Sequence, residues 1–130
     1  CDWSSDVCSS DLAYCWAAVK GFSAFGSYTG NGSTDGPFVY LGFRPRWIMV
    51  KRSAGGTSNW NILDTSRNTS NVMNLYLQSN QSIAEGTFTF ADYLSNGFKL
   101  RDSDVDWNGS GSTYIYAAFA ENPFKYANAR

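Results

Sequence analysis

Apolar residues recur along the chain at the two-residue spacing of strands, and turn signals interrupt them every eight to twelve residues. Phe22–Thr29 is the first predicted strand, closed by Thr29-Gly30-Asn31-Gly32. Pro37–Leu41 follows and is ended by Gly42 and Pro45. Arg46–Arg52 (RWIMVKR) carries four consecutive apolar residues, which predicts a strand buried on both faces with Trp47 in the core. Gly55-Gly56 breaks it, and Trp60–Asp64 resumes.

Asn71–Leu77 (NVMNLYL) reads as a strand or as two helical turns, and its composition favours the strand. In Thr87–Ala91, Phe88 and Phe90 face one way and threonines the other. Ser95-Asn96-Gly97 turns the chain into Phe98–Arg101, with Phe98 and Leu100 inward and Lys99 and Arg101 outward. Ser112–Ala120 divides Ile115, Ala117 and Phe119 from Tyr114, Tyr116 and Ala118. No stretch has a convincing helical period. The pattern predicts an all-β fold: an antiparallel β-sandwich, either jelly-roll or immunoglobulin-like, with strand order undetermined.

The amino terminus departs from this pattern. Cys1–Leu12 is rich in Asp and Ser and has no apolar periodicity, and Asp2–Leu12 back-translates in one frame to what looks like a sequencing-library adapter. Residues 1–12 are therefore expected to be an artefactual, disordered segment outside the fold. Setting it aside removes Asp2, Asp6 and Asp11, so eleven acidic residues become eight against ten basic ones, and the net charge moves from −1 to +2. Cys1 and Cys8 go with it, leaving Cys15 and no disulfide framework.

The rest has the composition of an extracellular β protein, with 17% aromatic and only 16% charged residues over the whole chain. No apolar run is long enough to cross a membrane as a helix, and no membrane partner is expected. Without a basic cluster, no nucleic-acid partner is expected either.

Ala13-Tyr14-Cys15-Trp16-Ala17 echoes Tyr116-Ala117-Ala118-Phe119-Ala120, and each is followed by an aromatic pair, Phe22 and Phe25 in one case, Phe124 and Tyr126 in the other. Residues 13–26 therefore read as the tail of a preceding repeat and 27–130 as a single module in a tandem array. Ala127–Arg130 follows closely on a strand and an aromatic pair, and reads as a natural terminus that places this copy last.

Chemistry is sparse. There is no His, so His-based triads are excluded. Asp64, Asp92 and Glu121 are the candidates for a carboxylate pair, as a polysaccharide-degrading enzyme would need, but no spacing brings two together, and no catalytic residue is assigned. Asp104, Asp106, Asn108 and Gly109 fit the opening of a calcium loop, yet Ile115 occupies the position of the closing Glu and the flanks are strands. A solvated hairpin loop is the expectation there. No cofactor is expected, calcium being the one candidate.

Trp60 and Trp107 each lie beside an amide, Asn61 and Asn108, in predicted loops. A ring face packed on a pyranose beside an amide is a sugar-binding arrangement, but the reading favoured for both rings is that they cap the sandwich core. Gly30-Asn31-Gly32 is a turn and not a phosphate loop, since no helix follows. Asp64 and Arg67 are placed to fix a turn.

As a set, FGSYTGNGSTDGPFVYLGFRPRWIMVKR, the residues Asp64, Thr65 and Arg67, LSNGFKLR and STYIYAAFAENPFKYANAR resemble a domain of unknown function, DUF7483-like, that recurs in tailed-phage virion and tail-fibre-like proteins. The resemblance covers Ala13–Arg130 and carries no catalytic or ligand residues. It implies a non-catalytic structural module of a phage virion protein, of the tail-fibre kind, on the extracellular face of the virion. Its partners would be other virion proteins or copies of itself, with host-surface glycan as the alternative.

Overall fold

The computed structural model describes residues 15–122. The segment 1–12, and the terminal Ala127–Arg130, lie outside the described residues. Eight strands carry the fold: β1 (Ser23–Thr29), β2 (Phe38–Tyr40), β3 (Pro45–Ala54), β4 (Asn61–Asp64), β5 (Met73–Gln78), β6 (Gly86–Leu94), β7 (Gly97–Leu100) and β8 (Thr113–Ala120). Every predicted strand is present within three residues of its expected limits, including the ambiguous Asn71–Leu77. There, β5 pairs with β4 on one side and β6 on the other.

All pairings are antiparallel, and the order is β1-β8-β3-β4-β5-β6-β7-β2. The all-β antiparallel class is as the pattern predicts, but the strands form one continuous sheet where two separate sheets were expected. β5 is the joint: it shares only two register pairs with β4, Asn61↔Gln78 and Ile62↔Leu77, and its ladder to β6 shifts between Met73 and Leu75. Loosened ladders let a sheet bend, and the β6-β7-β2 half faces the β1-β8-β3 half. Tyr28 on β1 meets Phe98 on β7 edge-on at 6.1 Å, and Phe98 meets Tyr116 on β8 at 5.9 Å.

The core is what those inner faces enclose. Ile48, Val50, Leu63, Met73, Phe90, Tyr93, Phe98, Leu100, Tyr114 and Ala118 have no exposed surface. The two-residue alternation decides membership: on β8, Tyr114 and Ala118 belong to the core cluster and half-buried Tyr116 packs against it, while Ile115 is exposed on the other side. Buried tyrosines also need partners for their hydroxyls. Tyr28 donates to the Trp107 carbonyl at 2.7 Å, Tyr93 to Leu63 at 3.3 Å and Tyr114 to Val105 at 2.6 Å.

One expectation is corrected here. Within the apolar run of β3 only the alternate residues Ile48 and Val50 are fully buried, while Trp47 and Met49 are half-buried. Trp47 is therefore outside the core, packed on Phe119 at 5.6 Å on the outer face of the sheet. The four-residue apolar run reflects two apolar faces of different kinds, an enclosed one and an outward one.

Of the segment 13–26, the described residues 15–26 lead straight into the sheet. Val19 bridges to Ser23, and from Ser23 the chain lies beside β8, with Ser23↔Phe119, Ala24↔Ala118, Phe25↔Ala117 and Gly26↔Tyr116.

Candidate functional site

The outward sides of the two halves differ in chemistry. On the β6-β7 half, Thr87 and Thr89 point out, Lys99 pairs with Asp35 at 2.7 Å, and Arg101 pairs with Asp92. That is an ordinary solvated face. On the β1-β8-β3 half, the outward positions are Phe25, Ile115, Ala117, Phe119, Trp47 and Met49. Their rings form a connected row, with Phe25–Phe119 at 5.9 Å and Trp47–Phe119 at 5.6 Å.

A groove of about 810 Å³ crosses this apolar face. Phe25, Met49, Ile115 and Ala117 make its floor, and Trp16, stacked on Phe25 at 5.9 Å, stands at one end. Trp60, Ser79 and Asn80 make the other end. These residues come from the segment before β1, from β1, β3 and β8, and from the turns before β4 and after β5, and they converge because the sheet order places β8 between β1 and β3.

The Trp60 end is held by a lattice of uncharged amides. The Trp60 N–H donates to Asn80 Oδ1 at 2.9 Å, and its carbonyl accepts the Ser79 N–H at 3.1 Å. Asn59 Oδ1 accepts both Asn80 Nδ2 and Gln81 Nε2 at 3.0 Å. No acid, amine, guanidinium or thiol is among the lining residues. Lys51, the next outward residue of β3 after Met49, donates its ammonium to the Ser58 carbonyl at 2.8 Å.

The structure separates the two sequence-identified tryptophans. Trp60 lines the groove, and its neighbour Asn61 is fully buried, accepting from Gln78 Nε2 at 3.1 Å. Trp107 is interior at 3% exposed, with the Phe90, Phe88 and Tyr76 rings at 4.8, 5.0 and 5.8 Å.

Asn108 is fully buried and works as a bracket: Oδ1 accepts the Asn31 N–H at 2.9 Å. Its Nδ2 donates to Asn31 Oδ1, Ser33 O and Asp102 O at 3.1, 2.8 and 2.6 Å. The loop between β7 and β8 is thus a plug in the core, where a solvated hairpin was expected. A Trp-Asn-Gly run in a loop was the available signal, because large rings and multivalent amides are costly to leave idle in a turn.

Asp104 and Asp106 serve the same plug. Asp102 Oδ1 accepts the Asp104 N–H and Asp104 Oδ1 the Asp106 N–H, both at 2.7 Å. Burial, and then the neighbouring Asp104, push the Asp106 carboxyl above its ordinary range. Asn108's carboxamide is committed to the hydrogen bonds that hold the loop. Among the described residues no group of three His, Cys, Asp or Glu is arranged to hold a metal ion.

The candidate carboxylates each meet an arginine. Asp64 pairs with Arg67 and accepts the Ser66 and Arg67 N–H groups at 2.9 and 3.0 Å, the turn-fixing role expected of it. Asp92 pairs with Arg101, and Glu121 with Arg44 at 3.0 Å.

Fold and groove together define an all-β antiparallel domain with an aromatic outer face on β1-β8-β3 and an opposite outer face that is polar on β6 and β7 and carries exposed Phe38 and Tyr40 on edge strand β2. The chain belongs to the family described as domain of unknown function DUF7483, whose model matches residues 4–123. No curated protein and no solved structure matches it.

Proposed function

We propose that this domain is a non-catalytic structural module of a phage virion protein, of the tail-fibre kind, that makes its contacts through the aromatic outer face of β1, β8 and β3. The observation that carries this reading is where reactive chemistry lies. Each candidate carboxylate is tied to an arginine, while the lining of the groove holds no carboxylate, amine, guanidinium or thiol, and its two hydroxyls, of Ser79 and Tyr116, have no His in the chain to activate them. A pinned β7–β8 loop and a ring-filled core suit a part that must hold shape on the outside of a particle.

A second reading has its own support. Trp60 beside Asn80 and Ser79 is the combination, aromatic surface with uncharged hydrogen-bonding groups, that a host-surface glycan requires. Both readings place the domain on the virion. Antibodies raised against the chain should label the tail of purified phage particles that carry a DUF7483 domain. Label confined to the lysate of infected cells and absent from particles would refute that placement.

A further inference from the structure

We infer that the groove between Trp60 and Ile115 is a subsite for neutral oligosaccharide, and that it discriminates against glycans bearing carboxylate or phosphate. The inference rests on the adhesive reading above and narrows it to one site and one ligand class.

The first argument is charge. Recognition of a sialic acid, a uronate or a phosphate calls for Arg or Lys with donors free to reach the anion. The lining supplies none, and the β3 cations Lys51 and Arg52 are not among the lining residues. Lys51 is bonded to the Ser58 carbonyl, and Arg52 to the Gly55 carbonyl and to Ser112 Oγ at 2.8 Å. An anion entering the groove would lose water and gain no counter-charge from the lining, an unfavourable exchange. A neutral sugar loses far less.

The second argument is the amide lattice. A carboxamide has two donors and two acceptor lone pairs. Asn80 uses one donor on Asn59 and one lone pair on the Trp60 N–H, so by inventory one of each remains for hydroxyls. The same bonds fix the main chain that carries the Trp60 ring, so little side-chain or loop entropy is left to lose on binding.

The third argument is size and shape. The groove's 810 Å³ lies within the range of small-ligand sites, about 300–1,000 Å³. Its floor spans β1, β8 and β3 and ends at Trp60 beside β4. Three inter-strand spacings make that about 14 Å, which suits a short oligosaccharide better than a single sugar.

The test is titration of the whole chain with a panel of neutral, sialylated, uronate-containing and phosphorylated oligosaccharides. Tryptophan fluorescence and calorimetry are the readouts. Neutral ligands should bind saturably, and Trp60→Ala and Ile115→Arg should each weaken them at least about tenfold. Both variants should keep the parent circular dichroism and melting curve. Tyr40→Ala, on edge strand β2 at 68% exposed, should leave binding unchanged.

Binding restricted to charged glycans would overturn the neutral class and leave the adhesive reading standing. No glycan binding at all would overturn both. Neutral binding that survives both groove variants would move the site elsewhere. Concentration-dependent self-association abolished by Ile115→Arg, with no glycan binding, would make the groove an interface between copies.

Discussion

Asn108→Asp replaces one amide nitrogen with oxygen and changes nothing else in size, so its effect isolates what the bracket contributes. In the native fold Nδ2 faces three oxygens, Asn31 Oδ1, Ser33 O and Asp102 O, at 3.1, 2.8 and 2.6 Å, with no exposed surface. A carboxylate there loses the two N–H donors that the three oxygens share, each worth about 1 kcal/mol net, and sets a buried negative charge against three acceptors. The expected loss at neutral pH is about 4 kcal/mol, or roughly 15 °C in melting temperature for a domain of this size.

The sign of the pH dependence follows. Burial raises the folded pKa of the new carboxyl above its unfolded value of about 3.9. Below that value both states hold the proton and the ionic part of the penalty is absent. As pH rises through it, the unfolded chain releases its proton first and the variant loses stability until the folded pKa is passed. Thermal melts of variant and parent from pH 3.5 to 7.5 should therefore diverge with rising pH. A variant that melts like the parent at pH 7, or one that calcium stabilises saturably, would refute the bracket. The second result would mean that residue 108 faces an ion site.

Other consequences are as direct. Trp107→Ala should cost about 3–5 kcal/mol in chemical denaturation, because it empties the space between Tyr76, Phe88 and Phe90; a loss below about 1 kcal/mol would place the ring at the surface. Gly97→Ala should destabilise the β2–β7 pairing, since its Cβ would lie 2.1 Å from the Val39 carbonyl oxygen; unchanged stability would contradict that close approach. Burial first, then Tyr114 for Tyr28 and Asp64 for Tyr93, raises both phenols well above 10. These two of the eight tyrosines should ionise only with alkaline unfolding, and stability should fall as pH rises above the unfolded value of about 10. Phenolate absorbance followed alongside circular dichroism checks this, and full ionisation of all eight in a folded chain would contradict it.

Strand positions were legible because alternation and turn residues are local. Thr87–Ala91 and Phe98–Leu100 could be assigned inward and outward faces from period two alone. Which apolar face is enclosed was not legible. Trp47 and Ile48 look equally buriable in sequence, and only the folding-over of the sheet at β5 puts Ile48 inside and Trp47 outside. The same limit divided Trp60 from Trp107. Both sit beside an amide in a loop, but the β7–β8 loop is drawn inward by the Tyr28, Tyr114 and Asn108 bonds, whose partners lie up to 79 residues away in the chain. The groove was invisible for a related reason. Phe25, Met49, Trp60, Asn80 and Ile115 share no local motif, and the strand order that gathers them is a long-range property.

The central claim is that this domain meets its partners through the aromatic outer face and not through the β7–β8 loop. The most direct test is an NMR titration of the intact chain with its tightest ligand from the glycan panel, following tryptophan indole N–H groups and Met and Ile methyl groups. The account predicts shifts at Trp60, Met49 and Ile115, with the Trp107 indole unmoved. Shifts centred on Trp107 and its loop, with Trp60 and Ile115 silent, would contradict it.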